Sequence, residues 1–257
     1  MISKNKIKFL RSLSFKKNRD QNNQVILEGF RLVEEAIKAK ARIESIYCTS
    51  KFINKASNNK YFNSYELIPI TDEECKMISN TKNSQGIIAL VNIQKYMNNV
   101  ISDIDNDKNI IILDQISDPG NLGTIFRNCI WFNIRSIILT ENSIDPFNLK
   151  CLRSGMGSHF YFNNIIQDKT SNIVKFLKQY KYDVLVADLM GKNITDIKCE
   201  INWALILGSE AHGISDTFKE FKKVTINKVG NIESLNVSVA SGILLDRLIN
   251  KENFNEE

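Results

Sequence analysis

Three short clusters in this 257-residue chain combine side chains that can do chemistry. The first runs Asp114-Gln-Ile-Ser-Asp-Pro-Gly-Asn-Leu-Gly-Thr-Ile-Phe-Arg127. Pro119-Gly120 reads as a turn, and Asn121 as the N-cap of a following helix. Gly123 leaves room for close approach. Arg127 then stands about 9 Å along the axis from Asn121, at ~1.5 Å per residue. An amide and a cation at a strand-to-helix junction suit a phosphate or a ribose; a capped helix with a solvated arginine is the plainer reading.

The second cluster is Gly208-Ser-Glu-Ala-His-Gly213, two glycines around the Glu210 carboxylate. It has neither the Gly-Lys-Ser/Thr of a phosphate loop nor a dinucleotide fingerprint. Such a loop can wrap an adenosine with backbone groups, or be a turn with an exposed acid. The third is Glu233-Ser-Leu-Asn-Val-Ser-Val-Ala-Ser-Gly-Ile-Leu-Leu245. Ser234 or Asn236 can cap a helix here. Ser238, Ala240, Ser241 and Gly242 permit tight packing against another element. A capped core helix explains the same residues.

The elements around these clusters alternate. Strands are predicted at 109–113, 135–140, 182–187, 202–207 and 223–226, with helices at 121–132, 171–180 and 236–250. Ile110–Leu113 and Ala204–Leu207 are continuous apolar runs, as strands buried on both faces require. Alternation of this kind implies an α/β fold with a mainly parallel sheet and helices on both faces. Ligands of such sheets sit beyond the carboxyl ends of the strands, where the clusters lie.

The front of the chain is a smaller α/β segment. Strands are predicted at 25–27, 43–48, 67–70 and 86–91, a helix at 28–40, and another starting at Thr71-Asp-Glu-Glu. Asn54–Asn63 reads as a loop. Residues 94–108 lose periodicity, which sets domains of 1–94 and 108–257 around a linker at 95–107.

Composition excludes more than it identifies. Net charge is +5, which permits a polyanionic partner without requiring one. No apolar run is long enough to span a bilayer. Five scattered cysteines without a C-x-x-C pair, and only two histidines, argue against a metal centre and for reduced thiols in a cytoplasmic setting. The first twenty residues are basic, with Lys4, Lys6, Lys8, Arg11, Lys16, Lys17 and Arg19. They read as a transit peptide or as the first helix of an RNA-facing domain.

The order N-L-G-x-x-x-R, L-G-S-E-x-x-G and S-L-N-V-S-V-A-S-G closely resembles the three motifs of the SpoU (TrmH) family of RNA ribose 2′-O-methyltransferases, of the SPOUT superfamily. Arg153-Ser-Gly-Met-Gly157 is similar, more loosely, to a stretch between the first two motifs. Ser3, Asn5, Val25–Val33 and Thr81–Ile87 resemble the family's L30e-like substrate-binding domain. The likeness thus covers nearly the whole chain, and the basic N-terminus reads as that domain's own first helix.

The resemblance implies a trefoil knot at the C-terminal end of the sheet and a homodimer that completes the site. It implies S-adenosyl-L-methionine as methyl donor, held by Gly208, Ile226 and Leu235 with Thr140 near the adenine. It implies catalysis by Asn121, Arg127, Glu210, Ser234 and Asn236, without a metal. An arginine is a poor base, since its pKa exceeds about 12. Arg127 is therefore expected to fix the target phosphate and stabilise the developing alkoxide, the phosphate assisting proton removal. Asn121, Glu210 and Asn236 are expected to hold Arg127 and the ribose. His159 and His212 are the alternative bases. Ala211 and Asn227-Lys228 depart from the family pattern, which affects loop detail.

The substrate implied is RNA, with large-subunit ribosomal RNA favoured by the separate front domain and transfer RNA as the alternative. The basic front helix and Arg31 are the first candidates for RNA contact. A base-nitrogen methyltransferase of the same superfamily is disfavoured by S-L-N-V-S. A non-catalytic RNA-binding assembly factor is disfavoured by retention of every polar motif residue.

Overall fold

The computed structural model describes all residues except 1, 57–58, 82, 98, 106–107, 199–201, 211–212 and 255–257. They form two units, Met1–Asn98 with Phe147–Tyr161 and Asn99–Pro146 with Phe162–Glu257. Residues 147–161, which the sequence assigns to the second domain, pack within the first unit.

In chain order the first unit contains α1 (Lys4–Ser12), α2 (Lys16–Asn22), β1 (Gln24–Glu28), α3 (Phe30–Lys38), β2 (Arg42–Thr49), α4 (Ser50–Ala56), β3 (Leu67–Ile70), α5 (Asp72–Ile78), β4 (Ile87–Asn92) and α6 (Gln94–Met97). The sheet order is β1-β4-β2-β3. Both neighbours of β4 run antiparallel to it, and β3 is parallel to β2. Alternate side chains divide between the faces. Ile26, Tyr47, Ile88 and Leu90 pack with Leu10, Leu13, Cys75 and Ile78. On β1 and β4 the opposite parity, Val25, Leu27, Ala89 and Val91, is also fully buried.

The N-terminal segment is an integral part of this unit. Ser3 caps α1, its hydroxyl accepting from the Lys6 N–H at 3.2 Å. Arg19 is buried, and donates to the Leu13 and Ser14 carbonyls at 2.9 and 2.7 Å. That arginine is therefore spent on closing helix ends and does not face RNA. Thr71 and Glu74 cap α5 reciprocally, with Glu74 N–H to Thr71 Oγ1 at 3.1 Å and Thr71 N–H to Glu74 Oε2 at 2.8 Å. The loop expected at 54–63 begins as the end of α4, and Phe62 within it is buried against Phe30 and Phe52. A seven-residue helix spans only about two turns, short of the window in which helical periodicity is read.

The second unit contains β5 (Ile110–Asp114), α7 (Pro119–Trp131), β6 (Ser136–Thr140), β7 (Asn164–Asp168), α9 (Thr170–Gln179), β8 (Asp183–Asn193), β9 (Trp203–Gly208), β10 (Lys222–Thr225) and α10 (Val237–Phe254); α8 (Leu149–Gly155) lies in the first unit. Its sheet is parallel at every pairing, in the order β10-β8-β9-β5-β6-β7. Ile110, Ile112, Ile138, Ala204 and Ile206 meet Ile173, Phe176 and Leu177 of α9. On the opposite parity Ile111, Leu113 and Leu205 are buried. There α10 packs on β9 and α7. β7, N-I-I-Q-D, lies beyond the predicted strands: it is a short edge strand with two apolar residues, too few to mark it in the sequence. Part of the expected linker is structured too: Ile104 is buried in the second unit's core.

Cys48, Cys75, Cys129 and Cys151 are free and buried. Burial pushes the Cys48 thiol up to about 12 and that of Cys129 higher still, so these thiols are core packing. Cys199 lies outside the described residues. Among those described, no helix is long and apolar enough to cross a membrane.

Gly157 fixes the turn after α8. Its φ is +85°, and a Cβ there would lie 2.9 Å from Glu35 Cβ on α3. Gly157→Ala is expected to destabilise the protein by about 1–3 kcal/mol. Urea denaturation measures this, and an unchanged midpoint would contradict the packing described.

Candidate active site

Because the six strands of the second unit are parallel, their carboxyl ends share one edge of the sheet. Thr140 and Gly208 end β6 and β9, and Ile226 follows β10. The first cluster starts at Asp114, the last residue of β5.

The N-cap of α7 is Asp118, not Asn121. Its Oδ1 accepts from the Asn121 N–H at 2.8 Å, and Pro119 occupies the first turn. This frees the Asn121 side chain. Its Nδ2 donates to Glu210 Oε1 at 3.2 Å. Asn236 Nδ2 donates to the same Oε1 at 2.6 Å and to Asn121 Oδ1 at 3.0 Å. The Val237 N–H adds a fourth contact, again to Glu210 Oε1, at 3.0 Å. One carboxylate thus joins the start of α7, the loop after β9 and the start of α10.

Of the two candidate caps, Ser234 and Asn236, it is Asn236 that caps α10. Its Oδ1 accepts from Ser238 N–H at 3.0 Å and from Val239 N–H at 3.3 Å. Both helices therefore present their amino ends to this cluster. The small residues of α10 permit its contact with α7, where Asn128 Nδ2 donates to the Ser238 carbonyl and to Ser241 Oγ, both at 2.9 Å. Asn128 was not singled out from the sequence, where it reads as an ordinary helical polar residue.

The loop after β9 is closed tightly. A Cβ on Gly208 would lie 2.4 Å from the Gly213 carbonyl oxygen. Asp114, fully buried, accepts from the Ser215 N–H at 2.7 Å and from Ser215 Oγ at 2.9 Å. Gln115, at φ +56°, donates from Nε2 to Ser215 Oγ at 2.7 Å. Its N–H donates to Thr140 Oγ1 at 2.9 Å. Thr140 is fully buried, so its hydroxyl serves this internal network. The signal for Asp114 was available: an acid directly after a buried strand must find donors.

Arg127 does not join the cluster. It is exposed, and makes no ion pair or hydrogen bond among the described residues. Six residues beyond Asn121 it lies roughly 240° around the helix, on another face. Within one chain no hydrogen bond or ion pair among the described residues joins Arg127 to Asn121, Glu210 or Asn236, because Arg127 faces another side of α7. Ser234 and Leu235 are exposed in the segment before α10. His159 is fully buried, with Nε2 3.4 Å from Cys151 Sγ, which removes it as a base. His212 and Ala211 lie outside the described residues.

The donor set at this edge fits a nucleoside. From 227 to 235 the main chain makes no hydrogen bond among the described residues, leaving backbone donors and acceptors open. Leu235 and Ile232 are exposed beside them.

Residues 108–246, more than half the chain, match the SpoU rRNA methylase family. The chain belongs to this family. Residues 4–89, ahead of the SpoU segment, match the MRM3-like substrate binding domain. A 23S rRNA (guanosine(2553)-2′-O)-methyltransferase, RlmP of Bacillus subtilis, is 28% identical over 248 residues, covering 95% of each chain. A solved TrmH-family structure from Porphyromonas gingivalis is 28% identical, with a TM-score of 0.83 over 98% of this chain and 99% of the other. An AdoMet-bound rRNA methyltransferase from Sinorhizobium meliloti, 24% identical, shares the fold with a TM-score of 0.82 over 98% of this chain and 96% of the other. The two family models thus match separate parts of the chain, 108–246 and 4–89.

Asp114→Ala would leave the Ser215 N–H and hydroxyl without their acceptor beneath the loop that carries Glu210. The expected cost is about 1–3 kcal/mol of stability. Chemical denaturation of the variant reads it, and a loss within error of zero would mean that Asp114 does not anchor the loop.

Proposed function

We propose that the chain transfers the methyl group of S-adenosyl-L-methionine to a ribose 2′-hydroxyl of large-subunit ribosomal RNA. The observation that carries this reading is the Glu210–Asn121–Asn236 cluster at the carboxyl edge of the parallel sheet. The strand-end position suits the donor, with Gly208, Ile226 and Leu235 offering backbone and apolar contacts and Thr140 stiffening the wall behind. When bound, S-adenosylmethionine supplies an electrophilic methyl group on a sulfonium.

The chain's own residues must then align the hydroxyl and handle its proton. Asn121, Glu210 and Asn236 hold the loop after β9 and the N-terminus of α10 in fixed relation, which sets where the ribose can lie. Ser234, exposed two residues before Asn236, is available to hydrogen-bond the ribose or its phosphate. Arg127, with five N–H donors and no accessible neutral form, grips the target phosphate and stabilises the alkoxide as it develops. The phosphate oxygen assists removal of the proton.

Arg127 acts from a second copy of the chain. Its orientation away from Asn121 and its lack of any partner among the described residues support this. Exposed Trp131 on α7 and Val239 on α10 support a homodimer through these helices, since neither is covered within the chain. The trefoil knot at the C-terminal end follows from membership of the SpoU family. The front domain, residues 1–94, binds the RNA, and the domain at 108–257 carries the methyl transfer. A cytoplasmic site of action fits a protein with buried free thiols.

Arg127→Ala and Asn236→Ala are each expected to lower methyl incorporation into RNA by about 100-fold or more. Mixing the two variants through subunit exchange should restore part of the activity, because one site of the mixed dimer is then intact. Near-normal turnover by Arg127→Ala would sink its role. No recovery on confirmed exchange would place Arg127 in its own chain's site.

A further inference from the structure

The first unit carries a basic cavity at the end of its sheet where β1 and β2 begin and β4 ends. Its volume is about 400 Å³, and Lys40, Arg42, Asn92, Gln94, Lys95 and Tyr96 line it. Register places it opposite the Gly29–Arg31 turn: Gln24 pairs with Asn92 at this end of β1, and Glu28 with Ile88 at the other. The motif resemblance pointed to Arg31 and the front helix for RNA contact, not to this end.

The three cations are held by backbone structure. Lys40 is at φ +57° in the turn closing α3, where the Lys40 N–H donates to the Ile37 carbonyl and the Ala41 N–H to the Ala36 carbonyl, both at 2.9 Å. Arg42 opens β2 and pairs in register with Asn92. Lys95 lies on α6 with its Nζ 5.3 Å from the centre of the Tyr96 ring. Tyr96 forms the floor. It is buried, its hydroxyl donates to the Phe160 carbonyl at 3.2 Å, and burial pushes its pKa up to about 12. It is a neutral wall at physiological pH.

No acid lines the cavity, and none of the three cations has an ion-pair partner among the described residues. The neighbouring Glu44 is engaged by Gln24 and by Asn92 Nδ2. Lys38, two residues before Lys40, is by contrast paired with Glu34 and Glu35. A second concavity in the other unit, lined by Lys192, Lys198, Lys222 and Lys223, has Asp196 in its wall, and Asp183 and Asp188 pair with Lys222 and Lys223. Three uncompensated cations around a neutral floor of Tyr96 and Phe160, both buried, suit phosphates.

We propose that this cavity binds the phosphodiester backbone of the RNA substrate, as a sequence-independent contact remote from the Arg31 turn. The proposal rests on the reading of the chain as an RNA methyltransferase. The test uses the full chain, a large-subunit ribosomal RNA fragment that the wild type methylates, and fluorescence anisotropy across a salt series. Lys40→Ala/Arg42→Ala/Lys95→Ala is expected to weaken RNA binding about tenfold or more. The slope of log affinity against log salt should fall by roughly two to three, at ~0.7–0.9 per phosphate contact. Affinity for S-adenosylmethionine should be unchanged. Lys40→Arg/Lys95→Arg, which keeps the charge, should bind RNA like the wild type, and so should Lys175→Ala/Lys181→Ala on α9 and just beyond it. An unchanged affinity and slope in the triple alanine variant overturns the proposal, as does equal loss in the α9 variant. Failure of the wild type to methylate any RNA would sink the functional reading instead, and is read separately by methyl incorporation.

Discussion

The Glu210 carboxylate accepts hydrogen bonds from Asn121, Asn236 and the Val237 N–H, and so ties together three segments far apart in sequence. Bonds to a charged acceptor are worth about 1.5–3 kcal/mol each, roughly twice the neutral kind. They form here because six parallel strands deliver the loop after β9 and the starts of α7 and α10 to one edge. The close approach at Gly208 and the Asp114–Ser215 bonds hold the loop from either side. Loss of Glu210 would free the loop after β9 from both helices, whereas the Asn236–Asn121 and Asn128 bonds would still join α7 to α10.

The same constraint separates Arg127 from the groups that share its motif. Asn121 faces the carboxylate, so a residue six positions later on α7 faces elsewhere. A single chain therefore presents a rigid polar platform and, apart from it, a solvated cation. Chemistry that needs both must bring two chains together, or draw Arg127 to the substrate by other means. The platform is preorganised, since its hydrogen bonds are made without any ligand.

Much of this was legible from residue order. The buried runs at 110–113 and 204–207 became central strands, as a doubly covered parallel sheet requires of its interior. The T-D-E-E start became a reciprocal cap. The failures share a cause. Asn121 was read as a cap because local sequence cannot show that Asp118 supplies the oxygen and that the amide is wanted 89 residues away. β7 and α4 are too short to show a period. Arg19 carries charge yet is buried, because two carbonyls at helix ends needed a donor. The partners of Asp114, 101 residues distant, and of Asn128 are long-range facts that no window of sequence contains.

The most direct measurement is the position of the methyl group on the product. Large-subunit ribosomal RNA lacking its own ribose methyl groups would be incubated with the protein and labelled S-adenosylmethionine, then hydrolysed with alkali. The account expects label confined to a nucleotide whose 3′ linkage resists cleavage, because the methyl group occupies the 2′-oxygen. Label recovered on a base in freely cleaved mononucleotides, or no label with a donor-binding protein, would contradict it.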